Sequence, residues 1–136
     1  RAAVDAAKRG MNTILSPQIP YYINRRQSKM ETEPLSQGHG DETVERVYNY
    51  KPMNGVDAEL QNKDMGVQAN FWTEWVEEPS VVQYLMLPRL AAVAEAGWTP
   101  AEKRDYNDFV KRIQGEAEYY QLKGVDYGKH VFDIHK

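Results

Sequence analysis

The 136-residue chain contains no cysteine, which excludes disulfides and thiolate metal centres and leaves the redox compartment open. Histidine is scarce: His39, His130 and His135 show no ligand spacing, so no metal site and no cofactor is expected. No apolar run approaches the roughly 20 residues of a membrane-spanning helix. Positive charge is not in excess either. A net charge of −3 and a pI near 5.6 argue against a nucleic-acid partner, which asks for a basic patch. There is no internal repeat. No signal peptide is visible, but the chain opens on Arg1, and Ala3, Val4, Ala6 and Ala7 read as the end of a helix cut from its context. A piece of a larger protein is therefore expected, and such a piece shows no leader whatever its compartment.

Punctuation by proline and glycine organises the rest. Residues 1–10 read as a helix end closed by Gly10, and Met11 to Ser16 as a short buried strand bounded by Pro17. The segment 17–42 is turn-rich, with Pro17, Pro20, Pro34, Gly38 and Gly40; a stretch of that kind inside a compact domain is functional or mobile, and Gly38-His39-Gly40 reads as a mobile loop. Asp41 is expected to cap a helix over Thr43 to Tyr48. A weak helical patch at Ala58 to Asn62 then leads into a second strand near 65–72.

That strand, in the run Gly66-Val67-Gln68-Ala69-Asn70-Phe71-Trp72-Thr73-Glu74, carries the functional signal. Side chains alternate across a strand, so Gln68, Asn70, Trp72 and Glu74 share one face, and Val67, Ala69, Phe71 and Thr73 the other. A tryptophan beside a carboxylate is how proteins hold sugars: the ring stacks on a pyranose, and the carboxylate accepts two hydrogen bonds from neighbouring hydroxyls. Core tryptophan and solvated glutamate are the plain alternatives, and Trp75, of the other parity, is expected to pack. The apolar pattern from Ser80 to Trp98, kinked at Pro88, supplies a buried helix for the other face. Arg89 and Glu95 on that helix need partners, expected in segments outside this chain, and read as structural. Thr99-Pro100-Ala101-Glu102 reads as a capping box, giving helices near 80–97 and 100–122. Gly124 ends the second, and the tail from Val125 is an extended cover. Strand followed by helix is the half-unit of a parallel α/β fold.

The string from Gly66 to Glu74, continuing into Tyr84-Leu85-Met86-Leu87-Pro88-Arg89-Leu90-Ala91-Ala92-Val93-Ala94-Glu95, resembles the last strand and helix of the catalytic barrel of the β-N-acetylhexosaminidases, glycoside hydrolase family 20. Upstream, Asn12-Thr13-Ile14-Leu15-Ser16-Pro17 followed by Tyr22-Ile23-Asn24 is similar to the penultimate strand and its site-bearing loop. A complete barrel takes roughly 250 residues. The resemblance thus implies the C-terminal portion of a (β/α)8 TIM barrel, the last two strand–helix units plus a C-terminal helix.

The resemblance also implies roles. Trp72 lines the pocket of the terminal sugar, and Glu74 binds its 4- and 6-hydroxyls. Tyr22 holds the carbonyl of the 2-acetamido group, which attacks the anomeric carbon in substrate-assisted catalysis. Tyr21 is the rival for that role, and register alone favours Tyr22. Asn24 stands where many relatives carry aspartate; it keeps the hydrogen-bonding geometry but cannot balance positive charge in an oxocarbenium-like transition state. The family's acid, a glutamate preceded by an aspartate after the fourth strand, has no match here: Asp41-Glu42 follows a glycine-rich loop, and Asp57 stands apart from Glu59. The expected protein is an exo-β-N-acetylhexosaminidase acting on glycans that end in GlcNAc or GalNAc, periplasmic or secreted by resemblance, of which this chain supplies a pocket wall. The chain would associate with the missing barrel segments or with itself. The alternative is a stand-alone carbohydrate-binding or interaction module without hydrolase activity.

Overall fold

The computed structural model describes residues 2–29, 31–37 and 41–132; the glycine-flanked His39 and the last four residues, with His135, lie outside them. Helix α1 (Ala2–Lys8) leads through Gly10, at φ +82°, into strand β1 (Thr13–Leu15). A turn at Gln18–Tyr21 (α2), non-helical at Ile19 and Pro20, opens the long loop, which closes on α3 (Val44–Tyr48). Then come α4 (Ala58–Gln61), strand β2 (Asp64–Val67), α5 (Pro79–Met86), α6 (Arg89–Trp98) and α7 (Tyr106–Lys123).

The two strands are parallel neighbours, with Thr13 opposite Asp64 and Leu15 opposite Val67. Two steps along β1 thus match three along β2, a bulge. Gly66 takes it up at φ +142°, where side-chain-bearing residues are strained, and donates its N–H to Asp64 Oδ1 at 3.1 Å. The ladder stops at Val67, short of the strand expected to residue 72, and reappears as a single parallel bridge between Tyr22 and Asn70. β1 is not buried as expected: Ile14 is 58 % exposed, and Met65 on β2 is 69 % exposed. Parallel strands are normally covered on both faces, and here the described residues cover one.

The long apolar helix is two helices. Pro88 offers no N–H and drives Leu87 into extended backbone (φ −101°, ψ 138°), so α5 ends at Met86 and α6 starts afresh at Arg89, a break where the sequence suggested a kink. Thr99 closes α6, and Ala101–Lys103 is only a short 3₁₀ turn; the last helix is capped instead by Asp105, whose side chain accepts from the Asp108 N–H at 2.9 Å. Likewise Thr43, not Asp41, caps α3, accepting from the Arg46 N–H at 3.1 Å. Gly124 ends α7 in the left-handed conformation.

One core unites these pieces. Val44, Val47 and Tyr48 of α3, Ala92 and Val93 of α6, and Phe109, Val110 and Ile113 of α7 pack with Tyr21 and Val131. At the contact of α6 with β2, a Cβ on Gly97 would come within 3.0 Å of Val67 Cγ2. The tail does cover the core: Tyr127 and Val131 are buried. No helix among the described residues is long and apolar enough to cross a membrane.

Candidate functional site

The bridge beyond the ladder brings the two sequence signals together. Ile23 donates its N–H to Asn70 O at 2.9 Å, and Asn70 donates to Tyr21 O at 2.8 Å, so the chain after β1 lies alongside the chain after β2. Tyr22 and Trp72 meet there, with ring centroids 6.3 Å apart and planes tilted by 50°. Trp72 is 49 % exposed, so the pair forms an open aromatic wall at the C-terminal ends of both strands. Tyr21, the rival tyrosine, is fully buried in the core, edge-on to Tyr50 at 4.9 Å, and burial pushes its phenol well above the usual range. Of the two, only Tyr22 presents surface.

The other two candidates are placed differently. Val76 donates its N–H to Thr73 O at 3.1 Å, so the chain turns after Trp72 and Glu74 sits at the corner of that turn. Strand parity therefore does not aim Glu74. Its side chain is exposed and has no hydrogen-bond or ion-pair partner among the described residues. The same turn exposes Trp75, at 51 %, where packing was expected. Asn24 is 2 % exposed, donates Nδ2 to Gln37 Oε1 at 2.7 Å, and has no partner for its Oδ1.

Polar anchors that sequence reasoning misplaced hold this loop. Arg89 and Glu95 have partners inside the chain, not in segments outside it. Arg89 is completely buried and donates to the backbone carbonyls of Ile23, Arg25, Glu42 and Leu85. Burial lowers its pKa to about 9, which still leaves the guanidinium charged at neutral pH. Glu95 accepts from Arg112 Nη2 at 2.6 Å and from the Tyr48 hydroxyl at 3.0 Å; the Arg112 contact holds its carboxyl below the ordinary range. Gln27, also fully buried, donates to Tyr84 O and, at 2.9 Å, to Leu87 O. Glu33 accepts from the Gln27 N–H at 3.0 Å and from the hydroxyls of Ser28 and Tyr84 at 2.8 Å. Buried Glu42 lies 3.5 Å from Arg25 and 3.4 Å from Arg46; burial raises its pKa against the pull of those arginines. An arginine on an apolar helix was the one visible signal of this network. The described part of the long loop is thus tied down rather than loose. Among the described residues no group of three or more His, Asp or Glu could hold a metal ion.

A parallel strand pair backed by helices, with aromatic side chains gathered past the strands' C-terminal ends, is the arrangement of an α/β-barrel enzyme's working face. Comparison with known proteins gives the family. Residues 1–101 match the family described as glycosyl hydrolase family 20, catalytic domain, and the chain belongs to that family. It is 32 % identical over 126 residues to the β-hexosaminidase of Porphyromonas gingivalis, covering 91 % of this chain and 16 % of the relative. The β-N-acetylhexosaminidase of Cellulomonas fimi is 30 % identical over 121 residues, covering 89 % of this chain and 24 % of the relative. A family 20 exo-β-N-acetylglucosaminidase from Vibrio harveyi, solved in complex with N-acetylglucosamine, superposes with a TM-score of 0.83 at 33 % identity, over 93 % of this chain and 20 % of its own. The chain therefore spans a quarter or less of these relatives and is an α/β fragment of their TIM-barrel fold.

Proposed function

We propose that this chain is the C-terminal portion of the catalytic barrel of an exo-β-N-acetylhexosaminidase, its last two strand–helix units and a following helix, and that it forms one wall of the pocket for a terminal GlcNAc or GalNAc. The observation that carries this reading is the Tyr22–Trp72 pair, 6.3 Å apart past the ends of two adjacent parallel strands. In the proposed reaction the acetamido carbonyl oxygen bonds to the anomeric carbon while the glycosidic oxygen leaves with a proton, and water later restores the retained configuration. Tyr22 Oη donates to that carbonyl oxygen and aims it. Trp72 stacks on the sugar ring, while Glu74 and Asn24 take its hydroxyls. The Asp-Glu pair that positions the acetamido group and supplies the proton lies outside this sequence, so the wall alone is inert.

Two observations bear on the finer roles. The corner position of Glu74 leaves its carboxylate free for a ligand, whereas Asn24 must part from Gln37 or use its unpartnered Oδ1. In the complete enzyme, Tyr22→Phe removes one aiming hydrogen bond, and kcat for an aryl β-N-acetylglucosaminide should fall roughly 10- to 100-fold, the range for a reacting atom misplaced by about 1 Å. An unchanged kcat in a folded variant removes Tyr22 from the mechanism.

A further inference from the structure

We propose that Arg89, buried on α6 and inaccessible to any substrate, is a positioning residue that sets the backbone carrying Tyr22. This rests on the reading of Tyr22 as the group that aims the acetamido carbonyl. The loop between α2 and α3 has no regular structure among its described residues, so its buried carbonyls need donors from elsewhere. Arg89 supplies them from a single planar group. Nη2 donates to Ile23 O at 2.6 Å and Arg25 O at 2.8 Å, the two carbonyls flanking Asn24, and also to Leu85 O; Nη1 donates to Glu42 O at 3.0 Å, and Nε to Leu85 O at 2.9 Å. The fork thus joins the start of the loop to its end and fastens both to α5.

The break at Pro88 is what makes this possible. A continuous helix would satisfy Tyr84 O with an N–H from position 88, which proline lacks; Gln27 fills that role, and the Arg89 side chain serves Leu85 O. The carbonyls left unpaired at the end of α5 and those of the loop are therefore met by one connected set of side chains. From there the constraint reaches the site in one residue: Ile23 O is held by Arg89 and Ile23 N–H by Asn70 O, which leaves the preceding residue, Tyr22, little freedom to leave Trp72. Lysine cannot substitute. It carries the charge, but its three donors radiate from one atom and cannot reach four carbonyls around a plane.

The test compares Arg89→Lys, Tyr22→Phe, their double variant and Val93→Ala, a core change on the same helix, in the complete enzyme. We expect R89K to lower kcat for an aryl β-N-acetylglucosaminide by about 10- to 100-fold, V93A to lower thermal stability while keeping kcat, and the double variant to be little worse than Y22F, because both changes act through one hydroxyl. Amide hydrogen exchange gives a readout independent of activity: R89K should speed exchange at Ile23 and Asn70 and leave Ile113 of α7 unchanged. An R89K enzyme that keeps kcat, multiplicative losses in the double variant, or an equal loss in V93A overturns the proposal. If Y22F alone leaves kcat intact, the reading of Tyr22 fails and takes the catalytic role of Arg89 with it, while the exchange data still decide the clamp. Should R89K not fold, the wild-type guanidinium decides: resolved, slowly exchanging N–H signals are expected, and one averaged, fast-exchanging signal refutes the clamp.

Discussion

Gly128→Ala is the sharpest test of the polar joint between the tail, the loop and the α5–α6 break. A Cβ at this position would lie 2.7 Å from Gln27 Nε2 and 2.9 Å from both Cδ and Oε1. Gln27 cannot step aside cheaply, because it is fully buried and its amide holds Tyr84 O and Leu87 O. Overpacking of this kind costs about 1–3 kcal/mol, and a buried carbonyl left without its donor about 1–3 kcal/mol more. Against this, alanine narrows the unfolded chain and returns about 0.4–1 kcal/mol. The expected net loss is roughly 1–6 kcal/mol, read as a lower urea midpoint at unchanged slope. Gln27→Ala loses the hydrogen bonds but makes room, so the double variant should be more stable than the sum of the singles implies, by at least about 1 kcal/mol. A G128A protein within about 0.5 kcal/mol of wild type, or strict additivity, would falsify the proposed jam.

Glu95 should give an acid-dependent signature. Its folded pKa is depressed, chiefly by Arg112, so its contribution is complete above the ordinary glutamate range and disappears as pH falls through the lowered folded value. Glu95→Gln should therefore flatten the acid limb of a urea midpoint-against-pH curve, by no more than about 1 kcal/mol because Arg112 is half exposed; an identical limb refutes the assignment. The purified 136-residue chain should not hydrolyse an aryl β-N-acetylglucosaminide, since acid help alone is worth about 10²–10⁴-fold and the proposed function puts the acid outside this chain; turnover above blank that survives removal of host enzymes contradicts this. The same chain should self-associate, because Ile14 and Met65 lie open on strands that, among the described residues, form only a two-stranded sheet; sedimentation as a monomer over a wide concentration range, with cooperative unfolding, would show the edges already closed.

Several features could be read from residue order because their causes are local. Gly10 and Gly124 stop helices by adopting backbone that other residues avoid, and both do so at positive φ. The run Tyr106, Phe109, Val110, Ile113 and Tyr120 recurs at helical spacing, and its buried members face the core. Local signals also misled where two of them competed. Thr99-Pro100-Ala101-Glu102 has every residue of a helix start, yet Asp105 caps the helix instead. Alternation through residue 74 assumed a strand that continues, whereas the chain turns at Thr73.

By itself, the sequence determined the chemical inventory: no thiol, an acidic balance, a tyrosine after one strand, a tryptophan and a glutamate after the next, and the string of residues that marks the family. Those are properties of composition and order. Which tyrosine reaches the surface was decided only when Tyr21 was drawn into the core and the Ile23–Asn70 bridge set Tyr22 beside Trp72. The partners of Arg89 were likewise illegible, because it donates to main-chain carbonyls up to 66 residues away, and every residue but proline offers the same carbonyl and amide. Only the tertiary path of the chain, broken at Pro88 and doubled back through the loop, could choose among them.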